Sequence, residues 1–291
     1  MAARGEYSET ALRAREALAT VASTPGVAKP DPILRAHGVQ RNFGGITAVD
    51  VEHLEVQRGS ITALIGPNGA GKTTFFNLLT AFDTPDAGEW IFDGEDMSNV
   101  SAHKMATKGM VRTFQLTKSL TKLSVIENMK LGASHQTGER WWKAIFPFLW
   151  RKQEADVEQR ADGLLARFKM DHMRNEYAGT LSGGQRKLLE MSRALMTNPR
   201  LVMLDEPMAG VNPALKQSLN EHIHGLRDEG MTVLFVEHDM DMVNDVSDWV
   251  IVMAEGRIIA EGTPEQISAN PAVIEAYLGA HQGKSMLEDA E

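Results

Sequence analysis

The 291-residue sequence contains no cysteine. Structural disulfides, thiolate metal sites and cysteine nucleophiles are excluded together, and a reducing compartment is expected. Stability must come from packing, and a chain of this length can bury a sizeable core. Long apolar runs are missing too: residues 231–236 and 201–204 fall far short of the ~20 residues a membrane-crossing helix requires. Near the N-terminus Glu9, Arg13, Arg15 and Glu16 interrupt the alanines, unlike a secretory signal, so a cytosolic chain is expected. Positive charge is in short supply. Thirty Lys and Arg against thirty-nine Asp and Glu leave a net charge of -9, the wrong sign for gripping a phosphate backbone, and no nucleic-acid partner is expected.

Residues 6–22 place Tyr7, Ala11, Ala14 and Leu18 at helical spacing before Thr24-Pro25-Gly26 and Lys29-Pro30-Asp31-Pro32 break the pattern. Residues 1–32 therefore read as an extension and linker, loosely attached or docked on a partner. Short alternating segments at 33–39, 48–56 and 90–92 predict an antiparallel layer. The runs 61–65, 201–204, 232–236 and 250–253 are nearly continuous in apolar residues, as parallel strands covered on both faces are. Helical patterns dominate about 101–198, long enough for an inserted lobe. Residues 249–253 and 257–260 flank a turn at Ala254-Glu255-Gly256, a helix is expected over 264–278, and 280–291 form a polar tail. The fold class is α/β, with a parallel sheet, an antiparallel layer and a helical lobe in one domain over 33–279.

Gly66-Pro67-Asn68-Gly69-Ala70-Gly71-Lys72-Thr73-Thr74 fits GxxxxGK[ST], between an apolar strand and the helical spacing of Phe75, Phe76, Leu78 and Leu79. In such a phosphate-binding loop, glycines let successive amides point at phosphate oxygens, the lysine neutralises β- and γ-phosphates, and Thr73 holds Mg²⁺. Leu201-Val202-Met203-Leu204 ends in Asp205-Glu206. Beside that loop, Asp205 is placed to order the Mg²⁺ shell and Glu206 to polarise an attacking water. Leu181-Ser182-Gly183-Gly184-Gln185 opens an amphipathic helix about twenty residues before Asp205, with Ser182 as cap and two glycines that allow close approach to an anion.

With that pentapeptide the sequence resembles the ABC-transporter ATPases, over about residues 33–279. The resemblance implies a P-loop NTPase core binding ATP and Mg²⁺. It makes Gln115 the glutamine that reaches toward metal and water, His238 the histidine that contacts the γ-phosphate, and Phe43 the aromatic that stacks on adenine. It also implies a head-to-tail pair with a second ATPase subunit, each ATP lying between one subunit's loop and the other's Ser182–Gln185. Two membrane permeases would complete the assembly on the cytoplasmic face, the chain itself being peripheral, with an extracytoplasmic solute-binding protein as an indirect partner. Residues 116–129 are the expected permease contact. The aromatic segment 141–150, with Trp141, Trp142 and Trp150, either covers the lobe's core or touches permease or lipid.

One departure from the family pattern is Asn212, in Ala209-Gly210-Val211-Asn212-Pro213, where an aspartate is usual. Asparagine still bonds across an interface but carries no charge. Val111-Arg112-Thr113-Phe114-Gln115, Val236-Glu237-His238-Asp239-Met240 and Ala276-Tyr277-Leu278-Gly279 resemble the ATPases of branched-chain amino-acid importers. Urea or amide importers and lipopolysaccharide-export ATPases share much of this pattern. A soluble iron–sulfur assembly ATPase is the reading from another class.

Overall fold

The computed structural model describes residues 8–113, 120–133 and 151–278. Helix α1 (Glu9–Ala19) leads into a long hairpin of β1 (Pro32–Phe43) and β2 (Ile46–Gln57). Gly44 and Gly45 join its strands at φ of 52° and 90°, the left-handed pair a two-residue hairpin turn requires. Strand β3 (Ile61–Ile65), α2 (Lys72–Leu79), β4 (Ala87–Phe92), β5 (Glu95–Asp96), α3 (Ala102–Met105) and β6 (Met110–Arg112) follow. The helical part contributes α4 (Val125–Lys130), α5 (Arg151–Arg167) and α6 (Gly183–Leu195). The core resumes with β7 (Leu201–Asp205), α7 (Pro213–Asp228), β8 (Thr232–Val236), α8 (Met240–Val246), β9 (Trp249–Ala254), β10 (Arg257–Gly262) and α9 (Pro264–Ser268).

Six strands form the central sheet in the order β10-β9-β3-β8-β7-β6, parallel except for β10, and β2-β1-β4-β5 form an antiparallel layer. Side chains alternate across the central strands. Ile61, Ala63, Ile65, Val202, Leu204, Val233 and Phe235 join helices α4 to α7 in one core. Leu64, Met203, Leu234 and Val236 face the antiparallel layer and α2 in a second. Burial on both faces explains why these strands read as unbroken apolar runs.

Three expectations need correction. Residues 8–32 of the N-terminal extension are not loosely attached, because α1 buries Ala11, Ala14 and Leu18 against its own chain and Ser8 N donates to Asp228 O at 2.8 Å. The linker behind it is bolted to β10. Val27 N and Lys29 Nζ donate to the two carboxylate oxygens of Glu261 at 2.9 and 2.6 Å, and Ser23 Oγ donates to its carbonyl at 2.6 Å. Secondly, 101–198 is not wholly an inserted helical lobe. Strand β6 lies within it and pairs with β7 in the central sheet, three residues being too few to show a period. Finally, the helix expected over 264–278 is two: α9 stops before Asn270, and a further helix spans 271–278. Pro271 cannot continue a preceding helix, and Asn270 Oδ1 accepts from Ala272 N at 3.0 Å to start the next.

Candidate functional site: the phosphate loop and the end of strand β7

The loop between β3 and α2 owes its shape to glycines that nothing larger can replace. Gly66 and Gly71 have φ of 150° and 97°. A Cβ on Gly66 would stand 1.9 Å from Met253 O, and one on Gly71 would stand 2.2 Å from Ala48 O. The first pins the loop to β9 and the second to β2. Asn68 and Gly69 are exposed at its crest, and Ala70 N closes it on Pro67 O at 3.2 Å. Gly71, the N-cap of α2, offers no side-chain bond to the first-turn amides, which leaves them available to an anion at the positive end of the helix. Lys72 Nζ donates to the carbonyls of Gly66 and Pro67 at 2.7 and 2.9 Å. Burial lowers its pKa, and the nearby charge of Glu206 opposes that. Thr73 is exposed at the first turn and Thr74 half-buried beside it.

The fold therefore brings the loop and the acid-tipped strand together. Asp205 is the last residue of β7 and is buried, its Oδ2 accepting from Arg112 Nη2 at 2.6 Å. Arg112 Nη1 also donates to Asn77 Oδ1 at 2.7 Å and Thr80 Oγ1 at 3.2 Å, both on or next to α2. One guanidinium thus ties the helix behind the phosphate loop to Asp205. Glu206 follows in the left-handed region at φ 46°, a strained backbone for a residue with a Cβ, and its N–H donates to Val236 O at 3.0 Å.

His238 stands at the end of β8 with its side chain 65% exposed and Nδ1 3.6 Å from Glu237 Oε2. Glu237 itself is fully buried, its Oε1 accepting from Met208 N at 2.8 Å. Phe43 lies at the end of β1 opposite Ile46, which stands two residues before Ala48, whose carbonyl lies against Gly71. Its exposed ring has the Arg41 guanidinium 4.7 Å from its centroid. Gln115 lies outside the described residues, as do the whole aromatic segment 141–150 and the polar tail 280–291. Thr113 is placed, its N–H donating to Met203 O at 2.9 Å.

Ser182 caps α6 through a reciprocal box. Gln185 N donates to Ser182 Oγ at 3.3 Å and Ser182 N to Gln185 Oε1 at 2.8 Å. Ser182 and Gly183 are exposed, whereas a Cβ on Gly184 would stand 1.8 Å from Leu215 Cδ2. Among the described residues no hydrogen bond or ion pair joins 182–185 to the phosphate loop. Asn212 spends its side-chain oxygen as the cap of α7, accepting from Leu215 N at 3.0 Å.

Three residues of the site had no chemical role in the sequence reading: Arg112, Lys187 and Glu237. Lys187, on α6, donates from Nζ to the carbonyls of Glu206, Pro207 and Ala209. Arg112 and Glu237 stand inside the segments that carried Gln115 and His238, which was the available signal. Lys187 offered none beyond its closeness to Ser182.

The ABC transporter family model matches residues 49–209, the stretch that holds both the loop and Asp205-Glu206. The chain belongs to the ABC transporter ATP-binding family. A second model, described as a branched-chain amino acid ATP-binding cassette transporter, matches residues 257–282 of this cassette. The probable branched-chain amino acid transport ATP-binding protein LivG of Archaeoglobus fulgidus is 41% identical over 252 residues, covering 87% of this chain and 97% of that one. The high-affinity branched-chain amino acid transport ATP-binding protein BraF of Pseudomonas aeruginosa is 41% identical over 250 residues, covering 85% and 98%. Among solved structures, the ADP conformation of an ATP-binding cassette of an ABC transporter superposes with a TM-score of 0.75 at 37% identity, covering 85% of this cassette and 99% of that one. The expected fold, a P-loop core with a parallel sheet and an antiparallel layer, is the one observed. No helix among the described residues is long and apolar enough to cross a membrane.

Proposed function

We propose that this ABC ATPase energises uptake of branched-chain amino acids or a similar small polar solute, working from the cytoplasmic face of the membrane. The observation that carries the reading is Glu206, held at a strained turn beside Asp205 and within the field of Lys72, as water activation next to a bound triphosphate requires. The likeness to LivG and BraF over nearly their whole length supports the solute class.

In this reading the amides of 66–74 cradle the phosphates, and Lys72 exchanges its two loop carbonyls for β- and γ-phosphate oxygens. Thr73, Asp205 and Gln115 would supply the few protein oxygen donors that suit Mg²⁺, an ion that keeps phosphate and water ligands. Bound there, Mg²⁺ would neutralise charge developing on the phosphates. Arg112 holds Asp205 in orientation through one oxygen. Glu206 accepts the proton of the attacking water, Gln115 reaches toward the metal and that water, His238 contacts the γ-phosphate, and Phe43 offers its exposed ring to the adenine. Ser182–Gln185 meets the nucleotide of a second ATPase subunit, so ATP closes the pair and hydrolysis reopens it. Two permease subunits receive that motion, and a solute-binding protein delivers cargo to them.

Extraction of the complex from membranes in mild detergent tests the assembly. Two hydrophobic permeases should accompany this chain, and the preparation should hydrolyse ATP faster when a loaded solute-binding protein is added. A chain that fractionates without permeases and turns over ATP independently of any binding protein contradicts the reading.

A further inference from the structure

Lys187 lies on α6, five residues after Ser182, and its ammonium is directed at the turn that follows β7. Nζ donates to the carbonyl oxygens of Glu206 at 3.2 Å, Pro207 at 3.0 Å and Ala209 at 2.6 Å. An ammonium has three protons, and one short turn takes them all. Burial lowers the pKa of Lys187, opposed by Glu237, Glu190 and Glu206. Glu190, one helical turn further along α6, is also buried and shares with Lys187, Thr113, Asp205 and Glu206 the lining of a cavity of about 20 Å³. That is room for a single water.

The turn is attached from two sides, β8 and α6, and on the β8 side the Glu206 N–H donates to Val236 O at 3.0 Å. Its Met208 amide is held by Glu237 Oε1 at 2.8 Å, from the end of β8, a fixed strand of the central sheet. Its carbonyls are held by Lys187, from the helix whose first residues form the exposed Ser182–Gln185 cap. Glu206 sits between them at φ 46°, a conformation that persists only while its surroundings impose it. A displacement of α6 therefore reaches the turn through three hydrogen bonds, one to the carbonyl of Glu206 itself and two to those of Pro207 and Ala209.

We infer that Lys187 is a positioning residue that couples the two nucleotide sites of an assembled pair within a single subunit. The inference rests on the proposed function. There, the Ser182 end of α6 meets the nucleotide bound by the neighbouring subunit, while Glu206 serves the nucleotide on this subunit's own loop. Lys187 is the rigid link between the two: γ-phosphate engaged at Ser182 sets α6, and α6 sets the Glu206 turn for hydrolysis on the other side of the interface. Each subunit then fires only when the opposite site is filled.

The test uses the complete transporter carrying Lys187→Met, Lys187→Gln or Lys187→Arg. ATP binding by the purified transporter is measured by titration with ATP under EDTA, and turnover by phosphate release. Lys187→Met should lower kcat by roughly tenfold or more with nucleotide affinity within about twofold of the parent. Lys187→Gln, which keeps donors and folds without an uncompensated charge, should lose kcat less, and Lys187→Arg should restore most of it. A double-mutant cycle reads the coupling directly. Ser182→Ala combined with Lys187→Met should lose clearly less kcat than the product of the two single losses. Multiplicative losses, or parent-like turnover in Lys187→Met, overturn the link. So does equal loss of affinity and kcat in both Lys187→Met and Lys187→Gln. An unmodified complex that fails to hydrolyse ATP instead overturns the function on which the link rests.

Discussion

Arg112 and Asp205 form a buried ion pair, Nη2 to Oδ2 at 2.6 Å with side chains 5% and 7% exposed, at the point where the phosphate-loop helix, β6 and β7 meet. Each charge offsets part of the cost of withdrawing the other from water. The sequence reading gave Asp205 a partner in Mg²⁺ alone, whereas in the fold it is first of all a partner of the protein.

Arg112→Met should therefore act on both stability and chemistry. Stranding the Asp205 carboxylate costs about 3–5 kcal/mol, on the order of 10 °C in the thermal midpoint for a chain of this size. Calorimetry of the variant checks the midpoint, and the Mg²⁺ dependence of its ATP hydrolysis checks the orientation of Asp205. Saturation by Mg²⁺ should shift to higher concentration, while an unchanged curve would detach Arg112 from the metal site.

The lock on the N-terminal linker is a second buried pair. Lys29 Nζ and Glu261 Oε2 lie 2.6 Å apart with both side chains 1% exposed, and Trp249 Nε1 donates to the same oxygen at 2.9 Å. Glu261→Ala leaves the Lys29 ammonium without its counter-charge, with only the Val27 carbonyl to donate to, and the indole N–H without its acceptor, and should cost about 3–5 kcal/mol in denaturant unfolding. Deleting residues 1–22 should lower the thermal midpoint by several degrees, because it uncovers the apolar surface under Ala11, Ala14 and Leu18. A midpoint unchanged by the deletion would return α1 to the status of a loose extension.

Acid should loosen the seam between α7 and the segment after α5. His222 is buried with its ring 4.4 Å, centroid to centroid, from Phe168, and burial, aided by Arg167 and Lys169, lowers its pKa to about 4, Glu221 opposing. Between pH 6.5 and 4 the unfolded chain binds a proton at this position that the folded chain refuses, so stability falls as pH falls through that window. The contribution reaches about 3 kcal/mol at most by pH 4. His222→Leu should flatten the fall of the thermal midpoint from pH 6.5 to 4. A slope equal to the parent's would contradict the assignment.

What was legible in the sequence follows from how each feature is encoded. Strands buried on both faces, such as β3, β7, β8 and β9, write themselves as apolar runs, and the phosphate loop writes itself as glycines because Gly66 and Gly71 meet neighbouring carbonyls where a Cβ would stand. Strand β6 is too short to show periodicity and depends for its existence on β7, nearly ninety residues later. The docking of the linker was invisible for a similar reason, Lys29 and Glu261 being 232 residues apart. Lys187 escaped because its targets are carbonyl oxygens, which every residue carries and no sequence marks. The break at Asn270-Pro271 was there to be read, since a proline seldom continues the helix before it.

The central claim is that the strained residue at the end of β7 activates water against a nucleotide held by Lys72. It is tested most directly by measuring ATP binding and steady-state phosphate release side by side in Glu206→Gln and Lys72→Ala. The account predicts that Glu206→Gln keeps its affinity within a few-fold while turnover falls by roughly a hundredfold or more, and that Lys72→Ala loses affinity. Near-parental turnover in Glu206→Gln would contradict it.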